Sequence, residues 1–145
     1  MSSYVVVDAS LAVKWLVNEE LTAEADSLAL SWTRSGNLPV APYLMPVEVA
    51  NALFQYVARG RLSLDGAVGL LRNLLNSGME LMEPAGLHTM ALELASRLQL
   101  GSIYDAHYLA LAEILDCEMW TADRRFFQAA SPFFQRVRWL GEGSV

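Results

Sequence analysis

The chain has 145 residues, 54% of them hydrophobic and 18% charged, with a net charge of −6 from 10 basic and 16 acidic side chains. That length suits one domain with a sizeable core, and that composition excludes intrinsic disorder. The acidic balance argues against a protein that holds nucleic acid by general electrostatics alone, though not against an enzyme with a local basic rim.

The first element is the run Tyr4 to Val7, a short apolar strand that stops on Asp8. An unpaired carboxylate at the end of a buried strand is costly, so Asp8 needs a partner from elsewhere in the chain. Leu11 to Val17 has the spacing of a short helix. Thr22 to Arg34 makes a second, with Thr22 as N-cap and Gly36 just past its end. Pro39 to Ala41 is a strand, and Leu44 to Arg59 a helix stopped by Gly60. Ser63 caps a helix running to Asn76, with Gly78 beyond it. Met79 to Met82 is a strand interrupted by Glu80. Gly86 to Leu100 is a helix stopped by Gly101, and Ile103 to Leu115 is another. Glu118 to Thr121 is a strand, Asp123 to Ala130 a helix ended near Pro132, and Arg136 to Leu140 the last strand. The tail Gly141 to Val145 is expected to fray.

Strands alternating with helices imply crossovers and a mainly parallel, five-stranded sheet of the α/β class. No linker, repeat or low-complexity tract divides residues 1–145, so one domain is expected. The apolar runs are too short to cross a bilayer, and no signal-peptide pattern opens the chain. A cytoplasmic home is the expectation. Cys117 is the one cysteine, so no internal disulfide can form.

Sites in open α/β sheets form outside the carboxyl ends of the strands. Asp8 ends the first strand and Asp123 follows the fourth. Glu48 lies in the first turns of the helix after the second strand, and Asp105 opens the sixth helix. Each has an ordinary structural reading. Asp8 and Asp123 can cap helices, Asp105 follows Ser102 at capping-box spacing, and Glu48 sits where the helix dipole favours an anion. Together they suggest more. The sixth helix is apolar nearly all round and therefore buried, and no Lys or Arg lies within a turn of Asp105. Buried carboxylates without local cations need a cation from elsewhere. An all-oxygen set suits Mg²⁺ or Mn²⁺. One cysteine and two histidines, His88 and His107, offer no structural zinc spacing; the histidines read as ordinary surface or core residues. Hydrolysis of a phosphodiester is the chemistry such a set serves, and it needs no side-chain nucleophile.

Four stretches carry a resemblance: VVVDASLAVKWL at the start, MPVEVANAL in the third helix, LGSIYDAHYLALAEIL in the sixth, and LDCEMWTADRRFF near the end. In this order and spacing, over essentially the whole chain, the sequence resembles the PIN-domain family and, within it, the VapC-type toxin ribonucleases. The resemblance implies a three-layer α/β/α fold with a central parallel sheet. It implies that Asp8, Glu48, Asp105 and Asp123 bind Mg²⁺ or Mn²⁺ and cut RNA endonucleolytically. It also implies a small VapB-like antitoxin covering the groove and a homodimer. Ser10 and Thr121 match hydroxyl residues that orient the acids, with helix capping and strand-end bonding as their alternative role. Some relatives carry a further acid after the last aspartate; Arg124, Arg125 and Phe126 stand there here, which bears on a second metal.

Candidate phosphate contacts are Lys14, Arg124 and Arg125, with Asn51 one turn beyond Glu48 as a further substrate contact. Arg59 and Arg61 read as solvated surface. The third and fourth helices carry apolar surface, including Phe54, Leu64 and Leu75, beyond what a core needs; an antitoxin or a second copy would cover it. Trp15, Trp32, Trp120 and Trp139 read as core or interface anchors. A haloacid-dehalogenase-type phosphatase would want an acid at position 10, where Ser10 stands. A receiver domain would want paired acids at the first strand. A catalytically silent PIN-fold binding module and a housekeeping RNA-processing nuclease stay open as alternatives to a toxin.

Overall fold

The computed structural model describes residues 4–143. Five strands alternate with helical segments: β1 (Tyr4–Val7), α1 (Ala9–Leu16), α2 (Thr22–Ser35), β2 (Leu38–Pro42), α3 (Met45–Ala58), α4 (Leu64–Leu75), β3 (Glu80–Met82), α5 (Leu87–Leu98), α6 (Tyr104–Leu115), β4 (Met119–Thr121), α7 (Arg124–Ala130) and β5 (Val137–Trp139). The strands form one sheet in the order β3-β2-β1-β4-β5, parallel at every pairing. Helices flank it in a three-layer α/β/α arrangement.

The order places β1 at the centre, with Val6 paired to Val40 on one side and to Met119 on the other. A central parallel strand is covered on both faces, so Val5, Val6 and Val7 are all buried and no apolar/polar alternation is needed. The chain builds outward from β1 to β2 and β3, then returns across the sheet to β4 and β5. The direction of winding reverses between β1 and β4, and their carboxyl ends flank a crevice.

α6 packs against α5 and against β1, β2 and β4. Ala106, Tyr108, Leu109, Ala110, Leu111 and Ala112 are all buried; the alanines let the helix approach the sheet closely. Arg136 fastens the turn that follows. Its guanidinium pairs with Glu113 at 2.7 Å and donates to the Cys117 carbonyl at 3.1 Å.

Several boundaries differ from those read off the sequence. α1 starts earlier, at Ala9, because Asp8 caps it. Thr22 is not a cap: its hydroxyl accepts from Glu19 N and donates to the Val17 carbonyl, while Leu21 precedes the helix in the left-handed region. α5 ends at Leu98, closed by Gln99 at φ 54°, not at Gly101. Ser102 does not cap α6; Ile103 holds that position with no side-chain hydrogen bond. The expected fraying is not seen over 140–143, where Leu140–Gly143 forms a 3₁₀ turn; Ser144 and Val145 lie outside the described residues. Ser63 caps α4 as expected, accepting from Gly66 N at 3.0 Å.

Candidate active site

The site grows from the end of β1. Asp8 is 3% exposed and its extended backbone opens α1, so its carboxylate turns back over the first helical turn. Oδ1 accepts from Leu11 N at 3.0 Å and from Ser10 Oγ at 2.6 Å. Oδ2 accepts from Thr121 Oγ1 at 2.5 Å, across from the end of β4. The two hydroxyls are themselves held. Ser10 Oγ accepts from Ala122 N at 3.0 Å, and Thr121 Oγ1 from Asp123 N at 2.9 Å. Each therefore donates its one proton to Asp8, and the ends of β1 and β4 are laced together around one carboxylate.

Asp8 answers to two opposed effects. The three donors favour its charged form, while loss of solvent disfavours it. Desolvation wins and pushes its pKa up to about 7, with a smaller upward contribution from the charge of Asp105.

Asp105 stands in the first turn of α6, half-buried. Its pKa is pushed up to about 6, first by desolvation, then by the charges of Asp123 and Glu48. It is thus the hub of the four acids, close enough to feel the other three. Asp123 caps α7, its Oδ1 accepting from Phe126 N at 3.2 Å. Glu48 lies in the first turn of α3, and its Oε1 accepts from the Tyr108 hydroxyl at 2.5 Å. That bond and burial hold the Tyr108 phenol well above its usual range.

The sheet edge therefore brings the four acids named from the sequence into one electrostatic neighbourhood. Among the described residues, none of the ion pairs involves any of them. Nor are they closed around a single point: among the described residues no three His, Cys, Asp or Glu side chains are already arranged as a metal site. The donor set fits a hard divalent cation chemically, being all oxygen, anionic, partly desolvated and without a cationic side chain.

The other candidates divide. Lys14 is paired with Glu19 at 3.1 Å, and Glu19 also accepts from the Tyr56 hydroxyl, so Lys14 is committed to a salt bridge on α1 and not free for a phosphate. Asn51 is exposed on α3. Arg124 and Arg125 are exposed beside Asp123. The Arg124 guanidinium lies 5.5 Å from the centre of the Trp139 ring, and that ring stacks on Phe127. A Cβ on Gly141 would come within 2.3 Å of the Trp139 indole, so the ring lies directly against glycine backbone. Trp139 and Tyr108 were not singled out as site residues from the sequence. Tyr108 carried a usable signal: it follows Asp105 by three on a helix and so shares its face. Trp139 carried none, since its contact with Arg124 joins residues from two elements.

The PIN domain family model matches residues 5–132. Ribonuclease VapC3 of Pyrobaculum aerophilum is 32% identical over 125 residues, covering 83% of this chain and 89% of that protein. Ribonuclease VapC9 of Mycobacterium tuberculosis is 33% identical over 121 residues, covering 83% and 87%. A crystal structure from Pyrobaculum aerophilum superposes with a TM-score of 0.71 at 24% identity, over 98% of this chain and 94% of that one. VapC20 of Mycobacterium tuberculosis, a sarcin-ricin loop cleaving toxin, superposes with a TM-score of 0.65 at 18% identity, over 87% and 95%. At those identities the superpositions speak to the fold alone.

Proposed function

The chain belongs to the PIN-domain family, among its VapC-type members, and on that premise we propose that it is a divalent-metal-dependent endoribonuclease, the toxin of a toxin–antitoxin pair. One observation carries the proposal: Asp105 sits within electrostatic reach of Asp8, Glu48 and Asp123, and no ion pair of the described residues supplies a cation to any of the four. Acids so placed repel one another, which costs folding energy. Such a cost is kept where a ligand removes it.

Asp8, Glu48, Asp105 and Asp123 would hold Mg²⁺ or Mn²⁺. The bound ion would neutralise phosphate charge and acidify water for attack on the phosphodiester. The chain's own residues prepare that site. Ser10 and Thr121 fix the Asp8 carboxylate through both oxygens, and Tyr108 fixes Glu48. Arg124, held over Trp139, and Arg125 line the approach for the RNA backbone, where an arginine fork pairs well with phosphate. Asn51, exposed one turn after Glu48, is placed to meet a base or ribose.

The partners follow from the surface. Phe54 and Leu64 are 60% and 67% exposed on α3 and α4, more apolar surface than a lone domain gains from showing. A VapB-like antitoxin and a second copy of this chain are the proposed occupants. No helix among the described residues is long and apolar enough to cross a membrane; a cytoplasmic location is part of the proposal.

The test is cleavage of an RNA panel by the purified chain with Mg²⁺, Mn²⁺ or EDTA, beside Asp8→Asn. Metal-dependent cutting that vanishes in Asp8→Asn supports the reading. Equal cutting by both proteins overturns it.

A further inference from the structure

Outside the acid site, one cluster of metal-capable side chains has no part in the reaction above. His88, in the first turn of α5, faces His107, in the first turn of α6, with His88 Nδ1 2.9 Å from His107 Nε2. The ring centres are 5.1 Å apart and the planes meet at 62°.

The other nitrogen of each ring has a partner that decides where its hydrogen sits. His107 Nδ1 lies 3.0 Å from the Ile103 carbonyl oxygen. A carbonyl only accepts, so Nδ1 carries the hydrogen and Nε2 presents a lone pair. His88 Nε2 lies 3.3 Å from Glu83 Oε1, again an acceptor. The neutral His88 ring therefore carries its hydrogen on Nε2 and presents a lone pair at Nδ1. The two lone pairs point at each other, and that arrangement needs a positive centre between them: a shared proton or a metal ion.

We propose that His88 and His107 form a two-imidazole site for a borderline transition-metal ion of the zinc class. The groups behind the rings are those that orient metal-bound imidazoles, a carboxylate behind one and a backbone carbonyl behind the other. Imidazole nitrogen selects Zn²⁺, Ni²⁺ or Cu²⁺, and oxygen selects Mg²⁺, so this site and the acid cluster take different metals. Two nitrogens each bonded to a tetrahedral zinc lie about 3.3 Å apart, close to the separation already present. Among the described residues no third His, Cys, Asp or Glu completes the set; water or a donor from another molecule fills the remaining positions. The His88 and Glu83 side chains are 65% and 42% exposed, so an ion reaches them from solvent. Once bound it ties α5 to α6.

The full chain is titrated with zinc chloride by calorimetry, with Mg²⁺ in excess to occupy the acid cluster. One equivalent of zinc is expected, with the dissociation constant raised at least tenfold in His88→Ala. Glu83→Gln, which keeps both nitrogens, is expected to weaken it roughly tenfold. Zinc is expected to raise the unfolding temperature of the parent protein and not that of His88→Ala. Identical isotherms for the parent and His88→Ala would place the ion elsewhere and overturn the proposal. No zinc uptake by the parent would mean that a shared proton suffices, and would overturn it equally.

Discussion

The Tyr108 hydroxyl donates to Glu48 across 2.5 Å, joining α6 to α3 over a sequence separation of 60 residues. Tyr108 is 1% exposed, so its ring is set by packing, and its hydroxyl sets the glutamate in turn. Tyr108→Phe keeps the packing and removes only the donor. It is expected to lower stability by about 1 kcal/mol, the ordinary net worth of one such bond, and to lower RNA cleavage about tenfold by leaving Glu48 free to rotate. Urea unfolding and cleavage rates check the two effects separately. An unchanged cleavage rate would show that Tyr108 does not position Glu48.

The raised acids predict an unusual pH dependence. Asp8 goes from an ordinary 3.8 to about 7, and Asp105 from 3.8 to about 6. Between pH 4 and 7 the folded protein therefore holds more protons than the unfolded chain. Stability falls as pH rises through that window and levels off above it. Thermal unfolding in EDTA is expected at a temperature several degrees lower at pH 7.5 than at pH 5 (about 2–4 °C per kcal/mol at this size). In Asp8→Asn the dependence is flatter. A melting temperature that rises steadily from pH 5 to 7.5 would contradict the placement of these acids.

Metal acts on the same repulsion. Millimolar Mg²⁺ is expected to raise the unfolding temperature at pH 7.5 and to do much less at pH 5, where Asp8 and Asp105 are largely protonated. Asp105→Asn removes the charge felt by the other three. It is expected to stabilise the metal-free protein, to shrink the Mg²⁺ shift and to abolish cutting. Calorimetric scans of both proteins with and without Mg²⁺ measure this; equal shifts would deny Asp105 a place among the ligands.

Gly141→Ala tests the rim. The added carbon would press within 2.3 Å of the Trp139 indole, displacing the ring that carries Arg124. RNA cleavage is expected to show a KM raised severalfold with kcat little changed, as in Arg124→Ala, because both weaken backbone contact and spare the acids. A fall in kcat at constant KM would place the effect at the acids instead.

Much of the fold was open to reading in one dimension. Apolar runs such as Tyr4–Val7 and turn residues such as Gly36 are local signals, and they placed all five strands and all seven helices within a few residues. Helix ends were misjudged where capping came from unexpected residues. Gln99 adopts the left-handed conformation that glycine was expected to supply at Gly101, and Ile103 starts α6 without help from Ser102. These are choices of backbone geometry that neighbouring packing decides, and local propensity is too weak to fix them.

The sequence by itself determined which acids matter, because each stands at a strand end or helix start, positions that a parallel sheet must bring to one edge. Only the tertiary structure decided how they are held and coupled. The bonds of Ser10 and Thr121 to Asp8 span 2 and 113 residues, and Glu48 meets Tyr108 across the layers. Lys14 proved committed to Glu19, and two histidines with no sequence pattern between them proved to face each other. Hydrogen bonds and desolvation act over a few ångströms in space, and sequence distance is silent about which residues packing brings that close.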